Sequence, residues 1–302
     1  MSIGQKDIKV DGSLPSTQEG MRSKATMLRQ FVDKLYSTEK KSLLCFSDSS
    51  PNPSFWNKRW EKLDLNRLAR VTSRSYIVKV TKKYLPINAR VLEGGCGAGD
   101  KVLALTNAGY DCIGIDTAAI TINNIKKIFP DLSVQVGDVT KLTFPNNYFD
   151  GYWSLGVIEH DIKGFSSIRD EMLRVLKKGG YLFLTFPHMN LLRKLNAALG
   201  FYPPYKPNSR PAGYFYQYIY NAQDIKEHFS RHGFDHVLTR YLSSFHGLEY
   251  ELPILNALGK LMQSNGVTKI MYKLIKVAID NTLNLLLGKF FSHGVLLVFK
   301  KT

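Results

Sequence analysis

Ala89-Arg90-Val91-Leu92-Glu93-Gly94-Gly95-Cys96-Gly97-Ala98-Gly99 decides the fold of this chain, because an apolar strand runs into one acid and then into four glycines within six residues. Glycine is needed where the backbone turns with positive φ and where a ligand must reach bare backbone, since a Cβ would clash in both places. The stretch reads as the first strand-to-helix turn of a nucleotide-binding α/β unit. Glu93 is the distinguishing residue. A fixed carboxylate at the carboxyl end of that strand would repel the pyrophosphate of a dinucleotide but suits a cofactor carrying an ammonium or sulfonium cation.

Two common glycine motifs fail here. Starting the pattern G-x-G-x-x-G at Gly95 and Gly97 puts its third glycine at Asp100, and no Gly-Lys-Ser/Thr follows to make a phosphate-binding loop. The residues spell E-x-G-x-G-x-G instead, over Glu93, Gly95, Gly97 and Gly99. A second apolar strand, residues 112–115, ends in Asp116, placed like the acid that takes ribose hydroxyls in nucleotide-binding βαβ units. A third, residues 132–136, ends in Gly137-Asp138. Three successive strands thus carry a carboxylate to one edge of a parallel sheet. Asp and Gly are ordinary strand-ending residues, so it is the combination with the glycine turn that is informative.

On these residues the segment 89–187 resembles a class I S-adenosylmethionine-dependent methyltransferase core of the ubiquinone- and menaquinone-biosynthesis type (methyltransferase type 11 group), with motifs in that family's order and spacing. The resemblance implies S-adenosylmethionine as cofactor, with Glu93 and the backbone of Gly95, Gly97 and Gly99 around its methionyl part. It further implies Asp116 on the ribose diol, Thr117 beside the adenine, Asp138 accepting from the adenine amine, the Val139 amide at a ring nitrogen, and Ser154 in the cofactor site. The chemistry is consistent, because a carboxylate can accept from two hydroxyls at once and another from an exocyclic amine.

The remaining pattern extends the same fold. Residues 148–155 read as a fourth strand, followed by Gly156-Val157-Ile158-Glu159-His160 and a helix over 164–176; Lys177-Lys178-Gly179-Gly180 reads as a turn and 181–186 as a fully buried fifth strand. Residues 234–242 and 295–300 supply the last two. Strands alternating with amphipathic helices imply right-handed crossovers. The expected fold is α/β: a doubly wound, seven-stranded Rossmann-like sheet, mostly parallel, with an antiparallel closing strand and helical cap insertions.

Within 302 residues this makes one methyltransferase domain over 51–302 rather than two independent domains, preceded by a polar, partly flexible arm over 1–50 with a helix around 21–35. Residues 55–84 read as helical and, by the resemblance, cover the cofactor mouth. Two insertions are expected, a Tyr/Pro-rich cap over 188–220 and amphipathic helices over 243–292. Cys45, Cys96 and Cys112 have no metal-ligand spacing and read as reduced, small apolar residues of a cytoplasmic protein. No apolar amino-terminal stretch reads as a signal peptide, and no uncharged run reaches the roughly 18 residues of a membrane span.

The net charge of +16 is unevenly placed. Residues 1–86 carry 17 Lys/Arg against 8 Asp/Glu, residues 87–187 carry 10 against 11, and residues 188–302 carry 14 against 6. The excess lies in the flanks, which is either a solvated basic surface or a contact for something anionic. With the tyrosines and Leu/Lys helices it points to a small-molecule or lipid-like acceptor with an acidic group, peripheral to a membrane, and to O-methylation. An RNA methyltransferase using the same basic flanks, or a non-catalytic cofactor-binding scaffold, is the alternative. Tyr202-Pro203-Pro204-Tyr205 lies far from the end of the fourth strand, where amino-group methyltransferases carry a Pro-Pro-aromatic motif, and reads as a rigid loop. His160 is the leading candidate for a general base, with Glu159 as its companion and His188 as a second candidate; helix capping or packing is the ordinary alternative for His160.

Overall fold

The computed structural model describes residues 33–61, 75–206, 213–262 and 266–302. A seven-stranded sheet runs in the order β5-β4-β3-β6-β7-β10-β9. Its strands are β3 (Arg90–Gly94), β4 (Asp111–Asp116), β5 (Val134–Val136), β6 (Phe149–Leu155), β7 (Leu176–Pro187), β9 (Phe234–Leu242) and β10 (Gly294–Lys301). The first five pair in parallel, while β10 lies antiparallel between β7 and β9. Such a strand is covered on both faces, so it needs an unbroken apolar run rather than alternation; Val295 to Phe299 are all fully buried. Helices α2 (Tyr76–Tyr84), α3 (Asp100–Asn107), α4 (Ala119–Ile128), α5 (Ser166–Val175) and α7 (Ala222–Arg231) flank the sheet. The expected turn at 177–180 is instead the start of β7, where the register with β6 shifts between Phe149 and Gly151 and Lys177 is held to Asp150 at 2.7 Å.

A second, three-stranded sheet stands where the sequence pattern shows only a polar arm and a Tyr/Pro-rich insertion. Strands β1 (Asp33–Ser37), β2 (Ser42–Ser47) and β8 (Tyr214–Ile219) pair antiparallel in the order β1-β2-β8. Residues 33–47, expected within the loose arm, are therefore a hairpin. Most of the expected helix over 21–35 lies outside the described residues, and its last three positions belong to β1. The hairpin is stabilised by apolar burial, since Leu43 and Cys45 are fully buried beside Tyr216 and Ile219 of the tyrosine-rich insertion.

Between β9 and β10 stand α8 (Ser244–Glu251), α9 (Pro253–Met262), α10 (Gly266–Leu286) and α11 (Gly288–Phe291), the expected helical insertion. One buried cation ties it to the rest. Arg193, on α6 (Leu191–Ala198), is 0% exposed and donates through Nε to Glu251 at 2.7 Å, and through Nη1 to the carbonyls of His188 at 2.7 Å and His293 at 3.2 Å. Tyr202 donates to the other Glu251 oxygen, and Lys34 of β1 stands 3.9 Å from the carboxylate. Hairpin, cap and helical insertion thus meet at one ion pair. Removing one partner of a buried pair leaves an uncompensated charge, which costs about 3–5 kcal/mol. Glu251→Ala is expected to lower stability by that amount in urea denaturation, whereas Arg231→Ala, in an exposed pair with Glu227, should cost less than about 1 kcal/mol.

Candidate functional site

The parallel strands end on one edge, and the glycine turn after β3 occupies its centre. Gly95, Gly97 and Gly99 have φ of 75°, 50° and 72°. A Cβ on Gly97 would stand 2.7 Å from the Trp60 ring, and one on Gly95 would stand 2.5 Å from the Val157 side chain. The loop is fastened to the next strand: the amides of Gly95 and Cys96 both donate to the Ile115 carbonyl at 2.8 and 2.9 Å. Asp116 completes the attachment. Its Oδ2 accepts from the Gly97 amide and its Oδ1 from the Ala118 amide, both at 2.8 Å. Each oxygen keeps further acceptor capacity, so the carboxylate can still take two hydroxyls.

Glu93 lies beneath the loop, 2% exposed, with Oε2 lacking a hydrogen-bond partner among the described residues. Burial, reinforced by Asp100 nearby, pushes its carboxyl well above the usual range. A backbone hydrogen bond from Val102 reaches the carboxyl, but a buried carboxyl oxygen left open is costly unless a donor or cation satisfies it. Ser154, paired in register with Gly94, is likewise fully buried with an unpartnered hydroxyl. Asp138 follows β5, where its Oδ1 accepts from the amide and hydroxyl of Thr140 at 2.8 Å; Thr117 is exposed after β4, and Val139 packs on the core. The open Oε2 of Glu93, the bare glycine backbone and the Asp116 carboxylate fit a nucleoside cofactor with a cationic centre.

Helix α1 (Pro53–Glu61) crosses over this edge. Trp56 and Trp60, one turn apart, share a face, so Trp60 reaches Gly97 while Trp56 reaches His160. Asn57 accepts from the Thr121 amide at 3.2 Å, which fixes α1 to α4. Between the two helices lies a cleft of about 260 Å³ lined by Asn57, Trp60, Ile120, Thr121 and Asn124 among others. Of residues 55–84, expected as helices over the mouth, 55–61 thus cross the glycine edge, 62–74 lie outside the described residues, and 76–84 form α2, which packs on the sheet through Ile77, Val78 and Val80.

His160 ends a 3-10 turn, Ile158–His160, that follows β6. Its ring stands between Trp56 and Tyr216, each 5.0 Å away and nearly perpendicular. Nδ1 is 2.7 Å from the Tyr216 carbonyl oxygen. A carbonyl only accepts, so Nδ1 carries the hydrogen and Nε2 the lone pair. Burial pushes the imidazole down to about 4, which keeps it neutral at physiological pH. Glu159, 2% exposed with Oε2 unpartnered among the described residues, is pushed up to about 8 by burial, which favours its protonated form. The imidazole is therefore oriented by the Tyr216 carbonyl on β8, a partner that no sequence spacing discloses. His188 is buried against Tyr241 in the cap, and burial with Arg193 nearby pushes it down to about 3.

A glycine turn and ribose-type acid on a sheet with an antiparallel penultimate strand define a class I methyltransferase fold. Residues 92–184 match the methyltransferase domain family, and this segment is a class I S-adenosylmethionine-dependent methyltransferase domain. The chain is 28% identical over 159 residues to a Mycolicibacterium smegmatis protein described as a probable S-adenosylmethionine-dependent methyltransferase, covering 52% of this chain and 55% of that protein. It is 30% identical over 116 residues to a demethylmenaquinone methyltransferase of Beutenbergia cavernae, covering 37% of this chain and 47% of the relative. The chain thus matches about half the length of these curated relatives. In fold, it superposes on an S-adenosylmethionine-dependent methyltransferase of Methanosarcina mazei with a TM-score of 0.50 at 19% identity, covering 74% of this chain and 96% of that one.

The depressed His160 sets a pH window. Between about 6.5 and about 4 the unfolded chain binds a proton that the folded site refuses, so the stability from this group is full above 6.5 and falls as pH drops through that range. Denaturation midpoints measured from pH 7 to pH 4 should decline more steeply in the wild type than in His160→Gln, and the imidazole resonances of His160 should titrate near 4.

Proposed function

We propose that this chain methylates an oxygen of a small-molecule or lipid-like acceptor that carries an acidic group and is reached from a membrane surface, with S-adenosylmethionine as cofactor. The observation that carries this reading is His160, turned by the Tyr216 carbonyl and held beside the glycine loop: Val157, three residues before it, packs on Gly95, and α1 spans both. When bound, S-adenosylmethionine supplies an electrophilic methyl group. Glu93, the backbone of Gly95, Gly97 and Gly99, Asp116 and Ser154 would hold it, with Thr117, Asp138 and Val139 toward its base. His160 accepts, at Nε2, the proton lost by an acceptor hydroxyl. A weakly basic imidazole suffices because that oxygen gains positive charge, and so acidity, as it is alkylated. Protonated Glu159 donates a hydrogen bond that orients the acceptor. Trp56 and Tyr216 shield the imidazole from water and offer an apolar wall to the acceptor. Similarity to a demethylmenaquinone methyltransferase, whose acceptor by name is a quinone, favours an apolar acceptor. The basic flanks supply cations for its acidic group.

Calorimetry with S-adenosylhomocysteine should show binding that Asp116→Asn weakens by about 1–3 kcal/mol, since the amide can no longer accept from the loop and from two hydroxyls together. His160→Gln should leave that affinity nearly unchanged while methyl transfer, followed with labelled cofactor, falls by about 10²–10⁴. Mass spectrometry of the labelled product identifies the methylated atom. Tight NADH binding with no response to S-adenosylhomocysteine would overturn the reading.

A further inference from the structure

Helix α10 is amphipathic in the reverse sense. Tyr272, Lys276, Asp280 and Asn284 recur every four residues, so they form one polar stripe. This stripe faces the protein. Tyr272 donates to Glu249 of α8, Lys276 donates to the same carboxylate at 2.8 Å, Asp280 accepts from the Phe245 amide at 2.7 Å, and Asn284 accepts from the Ser244 amide at 2.9 Å. The opposite side is apolar and open to solvent: Ile270, Leu274, Val277 and Leu285 all exceed 60% or sit at it, with Leu285 at 84%. Adjacent α9 adds Ile254, Leu258 and Leu261, exposed at i, i+4 and i+7. Water is an unfavourable neighbour for such a surface. A helix that spends its polar groups on the protein and presents its apolar face outward needs another apolar phase there.

The charge around that face selects its partner. Residues 252–299 contain five lysines and one carboxylate; of these, Lys276 is paired with Glu249 and Asp280 is committed to the Phe245 amide, both on the inward side. Lys269 and Lys273 are exposed along the edge of the apolar stripe. Basic side chains bordering an apolar helical face match the interface of an anionic bilayer, where lysine heads meet lipid phosphates and leucines enter the acyl boundary. Among the described residues no helix is long and apolar enough to cross a membrane, so α10 would lie on the surface. We propose that the outward face of α10, with that of α9, docks the protein on an anionic lipid surface. Its purpose rests on the lipid-like acceptor proposed above; its geometry does not.

The test uses the full chain. In vesicle flotation, protein should be recovered with phosphatidylcholine–phosphatidylglycerol vesicles, less with phosphatidylcholine alone, and less again as salt rises. Leu274→Asp with Leu285→Asp should cut recovery about tenfold or more, because charges replace apolar groups in the acyl boundary. Lys269→Glu with Lys273→Glu should remove the preference for anionic vesicles. Thermal stability and S-adenosylhomocysteine affinity should be unchanged in both variants. No recovery with either vesicle would overturn the proposal. So would a dimer in light scattering that the leucine substitutions disperse, since a second copy would then cover the face. Flotation without S-adenosylhomocysteine binding would leave this proposal standing and remove the methyl-transfer reading; the converse would do the reverse.

Discussion

The fastening of the glycine loop to β4 is the constraint on which the site depends. A run of residues with positive φ has no intrinsic reason to hold one shape, and glycine loses more conformational freedom on ordering than any other residue. Here the Ile115 carbonyl and the Asp116 carboxylate take three consecutive loop amides. One side chain both shapes the cradle and stands at the carboxyl edge of the sheet. Everything above the loop then has a fixed floor: Val157 on Gly95 sets the start of the turn bearing His160, and Trp60 on Gly97 sets the descent of α1.

The core was legible because its signals are local. Buried parallel strands are written as apolar runs, and the turn between the first strand and helix is written in glycines, so residues 89–187 and the closing strands could be read from one sequence. The hairpin of β1 and β2 was not, since each strand is short and finds its third partner, β8, some 170 residues later. The same separation hid the orientation of His160. Its partner is a main-chain carbonyl, which every residue carries, and only the fold decides which one arrives. Glu159 and His160 were legible as a pair, but adjacency in sequence did not make them partners in space.

The two insertions are not independent decorations. Arg193, Glu251 and Tyr202 link them within a buried polar network, and Asn190 extends it by donating to the Ser292 carbonyl at 2.9 Å. Such networks contribute to holding a unique arrangement when every member is satisfied. In this chain that arrangement sets α8, the helix whose carboxylate Glu249 grips α10. The chain thus devotes buried polarity to positioning a helix whose outer face is apolar.

The placement of tryptophan gives the molecule its own optical probe. Of three tryptophans, Trp153 is fully buried and stacked on Phe183 at 4.4 Å, whereas Trp56 and Trp60 both ride on α1. Emission from Trp153 should stay constant while the sheet is intact. Any change in intensity or colour under native conditions therefore reports α1 alone, so opening and closing over the glycine loop can be timed in the unlabelled protein by stopped-flow fluorescence.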